Sequence, residues 1–154
     1  MCIFEATNVS EGRGTNNPFS LIGAPWIDEK FSEKLNNSKI SGTKIIFKSF
    51  KPISIKGKSE NPKHLDAFCN GIILNITNRD SFQPIKTALK AIMLAKEIYP
   101  SDFIINETNM KKLWGNGDIF DYLNGKISEK QIKKILDHGI EKFKEQRQPF
   151  LLYN

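Results

Sequence analysis

Gly71-Ile-Ile-Leu-Asn-Ile-Thr77 is the stretch that decides the fold. Ile72, Leu74 and Ile76 alternate with Ile73, Asn75 and Thr77, the period of two that places successive side chains on opposite faces of a strand. One face of this strand is therefore expected to be buried and the other partly so. Asn78-Arg79 ends it, and Asp80-Ser-Phe-Gln-Pro84 opens a helix. Gln83 lies three residues after Asp80, and Pro84 suits a first turn because its missing N–H has no partner to lose there. Ile85, Ala88, Leu89, Ile92, Ala95 and Tyr99 then follow at helical spacing until Pro100. The short link makes strand and helix neighbours, with the helical stripe packed across the face that carries Ile72, Leu74 and Ile76.

Upstream, Lys44 to Phe50 is rich in β-branched and aromatic residues and reads as a second strand. The apolar run Cys2-Ile3-Phe4 places another near residues 2–6. Asp28 is a good N-cap for a helix over 29–36, with Phe31 and Leu35 one turn apart. Pro18 to Pro25 reads as a turn or a short helical piece. Residues 51–63, with Pro52, Gly57, Pro62 and four lysines, read as a loop and as the segment expected to be most mobile.

Downstream, Phe103 to Ile105 suits a further short strand. Asn109 can cap a turn through Trp114, and Asp118 another through Leu123 that Gly125 closes. Ser128-x-x-Gln131 is a capping box for a last helix over 129–146, whose apolar face carries Ile132, Ile135, Leu136, Ile140 and Phe143. Phe150-Leu-Leu-Tyr153 is an apolar tail expected to dock, as an edge strand or against another domain. The pattern as a whole predicts an α+β fold over residues 1–154: a single domain with a small mixed sheet and helices packed on it.

A chain of 154 residues can bury a real core. No apolar run approaches the roughly 20 residues that span a bilayer, so no membrane span is expected. Cys2, Cys69, His64 and His138 show no metal-ligand spacing; neither a metal nor a cofactor is implied, and the cysteines read as buried free thiols. The net charge of +6 is concentrated in residues 42–79, with seven basic and two acidic groups. Such a surface attracts anions, although a solvated lysine face is the plainer account of any one lysine. Nucleic acid is not an expected partner, since no RNP, helix-turn-helix or zinc pattern is present and aromatics are not interleaved with arginine.

The densest chemistry lies in Phe4-Glu-Ala-Thr-Asn-Val-Ser-Glu-Gly-Arg-Gly-Thr15. Glu5 and Glu11 offer carboxylates, and Thr7, Asn8 and Ser10 offer neutral hydrogen-bonding groups. Arg13 stands between Gly12 and Gly14 in a chain with three arginines against twenty lysines. A guanidinium presents a planar fork of donors that matches a carboxylate or phosphate, which an ammonium does not. Glu5, Thr7, Asn8, Ser10, Glu11 and Arg13 are thus the candidate substrate-binding residues. An ordinary turn built from Ser, Asn, Gly and Thr is the competing account. Trp26 could stack on a sugar ring or pack in the core, and Arg79 could reach a cleft or pair within the fold.

This block, with Pro18-Phe19, Ile22-Gly-Ala-Pro-Trp-Ile-Asp28, Phe68-Cys-Asn-Gly71, Ile76-Thr-Asn-Arg79, Phe82-Gln-Pro84, Tyr99-Pro100, Phe120-Asp121 and the closing Arg147-Gln-Pro-Phe-Leu-Leu-Tyr153, resembles the C-terminal half of the DUF1343 family, which includes the NamZ-type exo-β-N-acetylmuramidases. The resemblance covers nearly the whole chain; Ala6 departs from the glycine usual at that place. It implies a peptidoglycan-recycling glycoside hydrolase of bacterial cell walls that removes terminal N-acetylmuramic acid. It also implies a periplasmic or secreted setting, although no signal segment precedes the motif. Family members carry an N-terminal Rossmann-like domain ahead of the motif, and the resemblance places the catalytic carboxylate there, so no catalytic residue is assigned here. Met1 stands directly before the motif, so the missing half is expected as a separate chain or the sequence as a fragment. On this reading the chain lends binding residues to a shared cleft and is inactive alone. The alternative is a non-enzymatic module that binds muramyl glycans or docks a catalytic subunit.

Overall fold

The computed structural model describes residues 1–153. The chain divides into two compact units, Met1–Leu113 and the remainder from Trp114. The expected α+β class holds, and the sheet is antiparallel throughout.

In the first unit three strands are ordered β1-β3-β2. They are β1 (Leu21–Ala24), β2 (Thr43–Phe50) and β3 (Cys69–Ile76). The central strand is the one that the alternation in 71–77 predicts. Ile72 and Leu74 are buried as expected, whereas Ile76 is 47% exposed where the strand runs out beyond its cover. Helix α1 (Glu29–Asn37) opens on Asp28, whose carboxylate accepts from Lys30 N–H at 3.1 Å. It packs on β2 and β3, and α2 (Pro84–Ile98) runs beside it. Ala88, Leu89, Ile92 and Ala95 on α2 are buried, while Ile85 is half exposed. The turn before α2 is organised by Asn78 rather than Asp80: the Asn78 Oδ1 accepts from both Asp80 N–H and Ser81 N–H at 3.0 Å. Gln83 makes no side-chain cap.

Two expectations are corrected here. Residues Cys2–Ala6 form a 3-10 turn, not a strand. The amide and hydroxyl of Thr7 both donate to Phe4 O, at 3.0 and 2.9 Å, and that closes the chain on itself before a strand can extend. The strand on that side of β3 is instead Leu21–Ala24, within the segment read as a turn or helical piece. All four of its residues are buried, so it carries no alternation to find. Gly23 faces Gly71 across the β1–β3 pair, and Ser10 bridges Gly23 from the far side, which attaches the N-terminal loop to the sheet edge.

The Phe103 to Ile105 segment contributes a single bridge, Ile105 to Thr7. Helix α3 (Glu107–Trp114) is capped by Asn106, not Asn109; the Asn106 Oδ1 accepts from Asn109 N–H at 2.9 Å. Trp26 packs against Tyr99 and Phe103, with ring centroids 5.1 and 6.4 Å away. The Tyr99 hydroxyl donates to Asp28 Oδ1 at 2.7 Å. Burial, reinforced by that carboxylate, pushes the phenol up to about 12 from an ordinary 10.0. Because the folded value is the higher one, this contribution to stability is complete below pH 10 and is lost as the pH rises toward 12. Burial likewise pushes the Cys69 thiol up to about 11. Unfolding midpoints in urea are therefore expected to fall between pH 10 and pH 12, and more shallowly in Tyr99→Phe.

The second unit holds α4 (Asp118–Leu123) and α5 (Glu129–Arg147). Gly117, not Asp118, is the N-cap of α4. The capping box of α5 is present in both directions: Ser128 Oγ accepts from Gln131 N–H, and Gln131 Oε1 accepts from Ser128 N–H. The apolar stripe of α5 is not a buried face in this unit. Ile132 is buried, but Ile140 and Phe143 are 49% and 61% exposed. Phe150, Leu152 and Tyr153 are exposed as well, so the tail forms neither a strand nor a packed segment. Cys69 is a buried free thiol; Cys2 is free but exposed. Among the described residues no helix is long and apolar enough to cross a membrane.

Candidate functional site

The 3-10 turn at Cys2–Ala6 and the loop that follows it bring Glu5, Glu11 and Arg13 together. Gly12 and Gly14 have positive φ, 80° and 77°, and their freedom is used against the protein's own backbone. A Cβ on Gly12 would lie 2.7 Å from the carbonyls of Asn17 and Leu21, and one on Gly14 would lie 2.6 Å from Ile53 O. The two glycines fold the loop tightly onto β1 and onto the 51–67 segment. Arg13 is left at the apex with 43% of its side chain exposed.

The guanidinium is held from two sides. Glu5 Oε1 accepts from Nη2, and Glu11 Oε1 lies 3.3 Å from Nε. Phe19, itself at φ 62°, places its ring 5.1 Å below the guanidinium carbon, a distance that favours a cation over an aromatic face. Of the five N–H groups of an arginine, one on Nη2 hydrogen-bonds Glu5, while the contact of Nε with Glu11 is an ion pair. Among the described residues the guanidinium has no other hydrogen bond or ion pair, and its side chain is 43% exposed.

Glu11 is 3% exposed and needs compensation for its charge. It receives this from Arg13 and from a residue that the sequence did not single out. Lys63 Nζ lies 2.9 Å from Glu11 Oε2 and also donates to Phe4 O at 2.8 Å, Val9 O at 3.2 Å and Glu5 O at 3.3 Å. Next to it, His64 Nε2 lies 2.7 Å from Asn8 O. Nothing in the sequence separates Lys63 from the other lysines of its loop, because its role depends on chain folding over a separation of fifty-two residues from Glu11.

The neutral candidates are occupied within the fold. The Thr7 hydroxyl donates to Phe4 O and accepts from Val9 N–H at 3.1 Å. Asn8 spans to the 102–104 segment, donating to Asp102 O at 2.7 Å and accepting from Ile104 N–H at 2.9 Å. Ser10 Oγ accepts from Gly12 N–H at 3.2 Å. Arg79 is exposed at the end of β3 and Trp26 is packed, so neither joins this cluster. Among the described residues no group of three or more His, Cys, Asp or Glu could hold a metal ion.

The C-terminal domain model of the exo-β-N-acetylmuramidase NamZ matches residues 1–153. The chain belongs to that family. The peptidoglycan β-N-acetylmuramidase NamZ of Bacillus subtilis (strain 168) is 35% identical over 153 residues, which is 98% of this chain and 35% of the relative. Two DUF1343 family proteins of Bacteroides fragilis NCTC 9343 share the fold. One matches with a TM-score of 0.82 at 16% identity over 99% of this chain and 40% of its own length. The other matches with 0.62 at 26% identity over 99% and 38%. The chain therefore spans between a third and two fifths of these relatives, less than the half that the sequence suggested.

Proposed function

We propose that this chain is the substrate-binding part of an exo-β-N-acetylmuramidase-type glycoside hydrolase. In this reading Arg13 takes the lactyl carboxylate that distinguishes N-acetylmuramic acid from N-acetylglucosamine. The observation that carries the reading is a guanidinium held by Glu5 and Glu11 on a side chain that is still 43% exposed. A fixed fork loses little freedom when it meets a planar anion. In the same reading Glu5 accepts from a sugar hydroxyl beside that anion, which the exposure of a third of its side chain supports. Thr7, Asn8, Ser10 and Glu11 shape the loop that presents the pair. The family match supports the substrate class.

Glycoside cleavage uses two carboxyl groups flanking the bond, or one aided by the substrate. No cleaving carboxyl is assigned in this chain; the family resemblance implies that it lies in a Rossmann-like domain outside it, with the cleft shared. Because the chain spans 35% of the Bacillus relative, a module that binds muramyl glycans without cleaving them is the second reading. The test is release of N-acetylmuramic acid from a chromogenic muramide by the purified chain, alone and mixed with a separately produced Rossmann-like half of a NamZ protein. Activity only in the mixture is the expected result. Activity of the chain alone would contradict the division of labour, and inactivity of both would favour the binding module.

A further inference from the structure

We propose that Lys63 is a positioning residue: its ammonium, plugged into the N-terminal loop, sets the direction in which Arg13 points. The proposal rests on the reading of Arg13 as the grip for an acidic sugar.

Lys63 lies on the 51–67 segment, and its side chain is 29% exposed. The ammonium gathers the carbonyls of Phe4, Glu5 and Val9 with one oxygen of the buried Glu11 carboxylate. Such a nest of three carbonyls and a carboxylate is the donor set of a bound cation, and here a tethered cation fills it. The same ammonium therefore ties both ends of the loop, the 3-10 turn that carries Glu5 and the stretch that carries Glu11. These two carboxylates are the ones that hold Arg13.

Charge explains why the tether directs the guanidinium. With Lys63 in place, Glu11 shares its charge: Oε2 goes to Lys63 and Oε1 to Arg13 Nε. Without it, a buried carboxylate would have Arg13 as its one cationic partner and would draw the fork inward into a bidentate pair. The N–H groups of Arg13 would then be spent inside the fold. The segment that delivers Lys63 is itself held firmly. Ile53 N–H donates to Gly14 O at 3.0 Å, Asp66 N–H donates to Pro52 O at 2.8 Å, and His64 contacts Asn8 O. His64 and Asp66 sit at φ 55° and 60°, a region that non-glycine residues enter when surrounding contacts hold them there. The stretch expected to be mobile is thus anchored to the binding loop at several points.

The test reads Arg13 directly. With three arginines in the chain, the Nε–H region of a ¹H–¹⁵N spectrum holds three signals, which single Arg→Lys variants assign. In Lys63→Met the Arg13 signal is expected to shift while those of Arg79 and Arg147 stay. The Kd for N-acetylmuramic acid is expected to rise roughly tenfold, with weak binding of N-acetylglucosamine unchanged. Lys63→Gln retains N–H donors for the carbonyls and drops the charge; it serves if the methionine variant does not fold, and the same shift is expected. An unmoved Arg13 signal in a folded variant overturns the proposal. If the wild-type chain binds neither sugar, the reading of Arg13 as a sugar grip falls, while the spectrum still decides whether Lys63 positions it.

Discussion

Gly71→Ala is expected to lower the melting temperature by about 10 °C. The added Cβ would lie 1.9 Å from Ile22 O and 2.6 Å from the Cα of Gly23. Both obstacles are backbone atoms of β1, so no rotamer change can clear them. The pair must separate at the register point where Gly23 faces Gly71. Gly23 is confined as well, since its own Cβ would meet Asn70 O at 2.4 Å and the Phe50 ring at 2.6 Å. Overpacking of this kind costs about 3 kcal/mol, and a domain of this size loses about 3 °C per kcal/mol. Gly139→Ala is the control. It lies inside α5 with nothing near its Cβ, and should leave the melting temperature unchanged or raise it slightly. Equal melting temperatures for Gly71→Ala and the wild type would mean that β1 is not paired as described. The consequence reaches the candidate site, because Ser10 hangs the N-terminal loop on Gly23.

Arg13→Lys is expected to weaken binding of N-acetylmuramic acid roughly tenfold or more and to leave N-acetylglucosamine unaffected. The substitution keeps the charge and removes the fork. A lysine at this position would still pair with Glu5 or Glu11, but it could not engage both and offer parallel N–H groups outward. Calorimetric titration of both proteins with both sugars checks this. Equal loss for the two sugars would place the effect in loop structure rather than in carboxylate recognition.

The sequence showed most clearly the elements whose pattern repeats. β3, α1, α2 and the capping box of α5 were legible because alternation, helical spacing and capping chemistry are local. β1 was not, because four fully buried residues carry no period and Gly23 is fixed by a partner forty-eight residues away. The run Cys2-Ile3-Phe4 looked like a strand. Thr7 instead returns to Phe4 O, and Lys63 takes the carbonyls of Phe4 and Glu5 that a strand would offer to a neighbour. The stripe on α5 has helical spacing, and spacing says nothing about whether a surface exists to cover Ile140 and Phe143. At the site, Glu5, Glu11 and Arg13 meet because they share one short loop. Lys63 reaches them through the fold, so no reading of neighbours in the chain would have found it.

The most direct measurement is a titration of the ¹⁵N-labelled wild-type chain with N-acetylmuramic acid and, separately, with N-acetylglucosamine, followed at the Arg13 Nε–H signal. The account predicts a saturable shift of that signal with the acidic sugar, little change with the neutral one, and still signals from Arg79 and Arg147. A signal that moves with neither sugar, or equally with both, would contradict the claim that Arg13 grips the carboxylate.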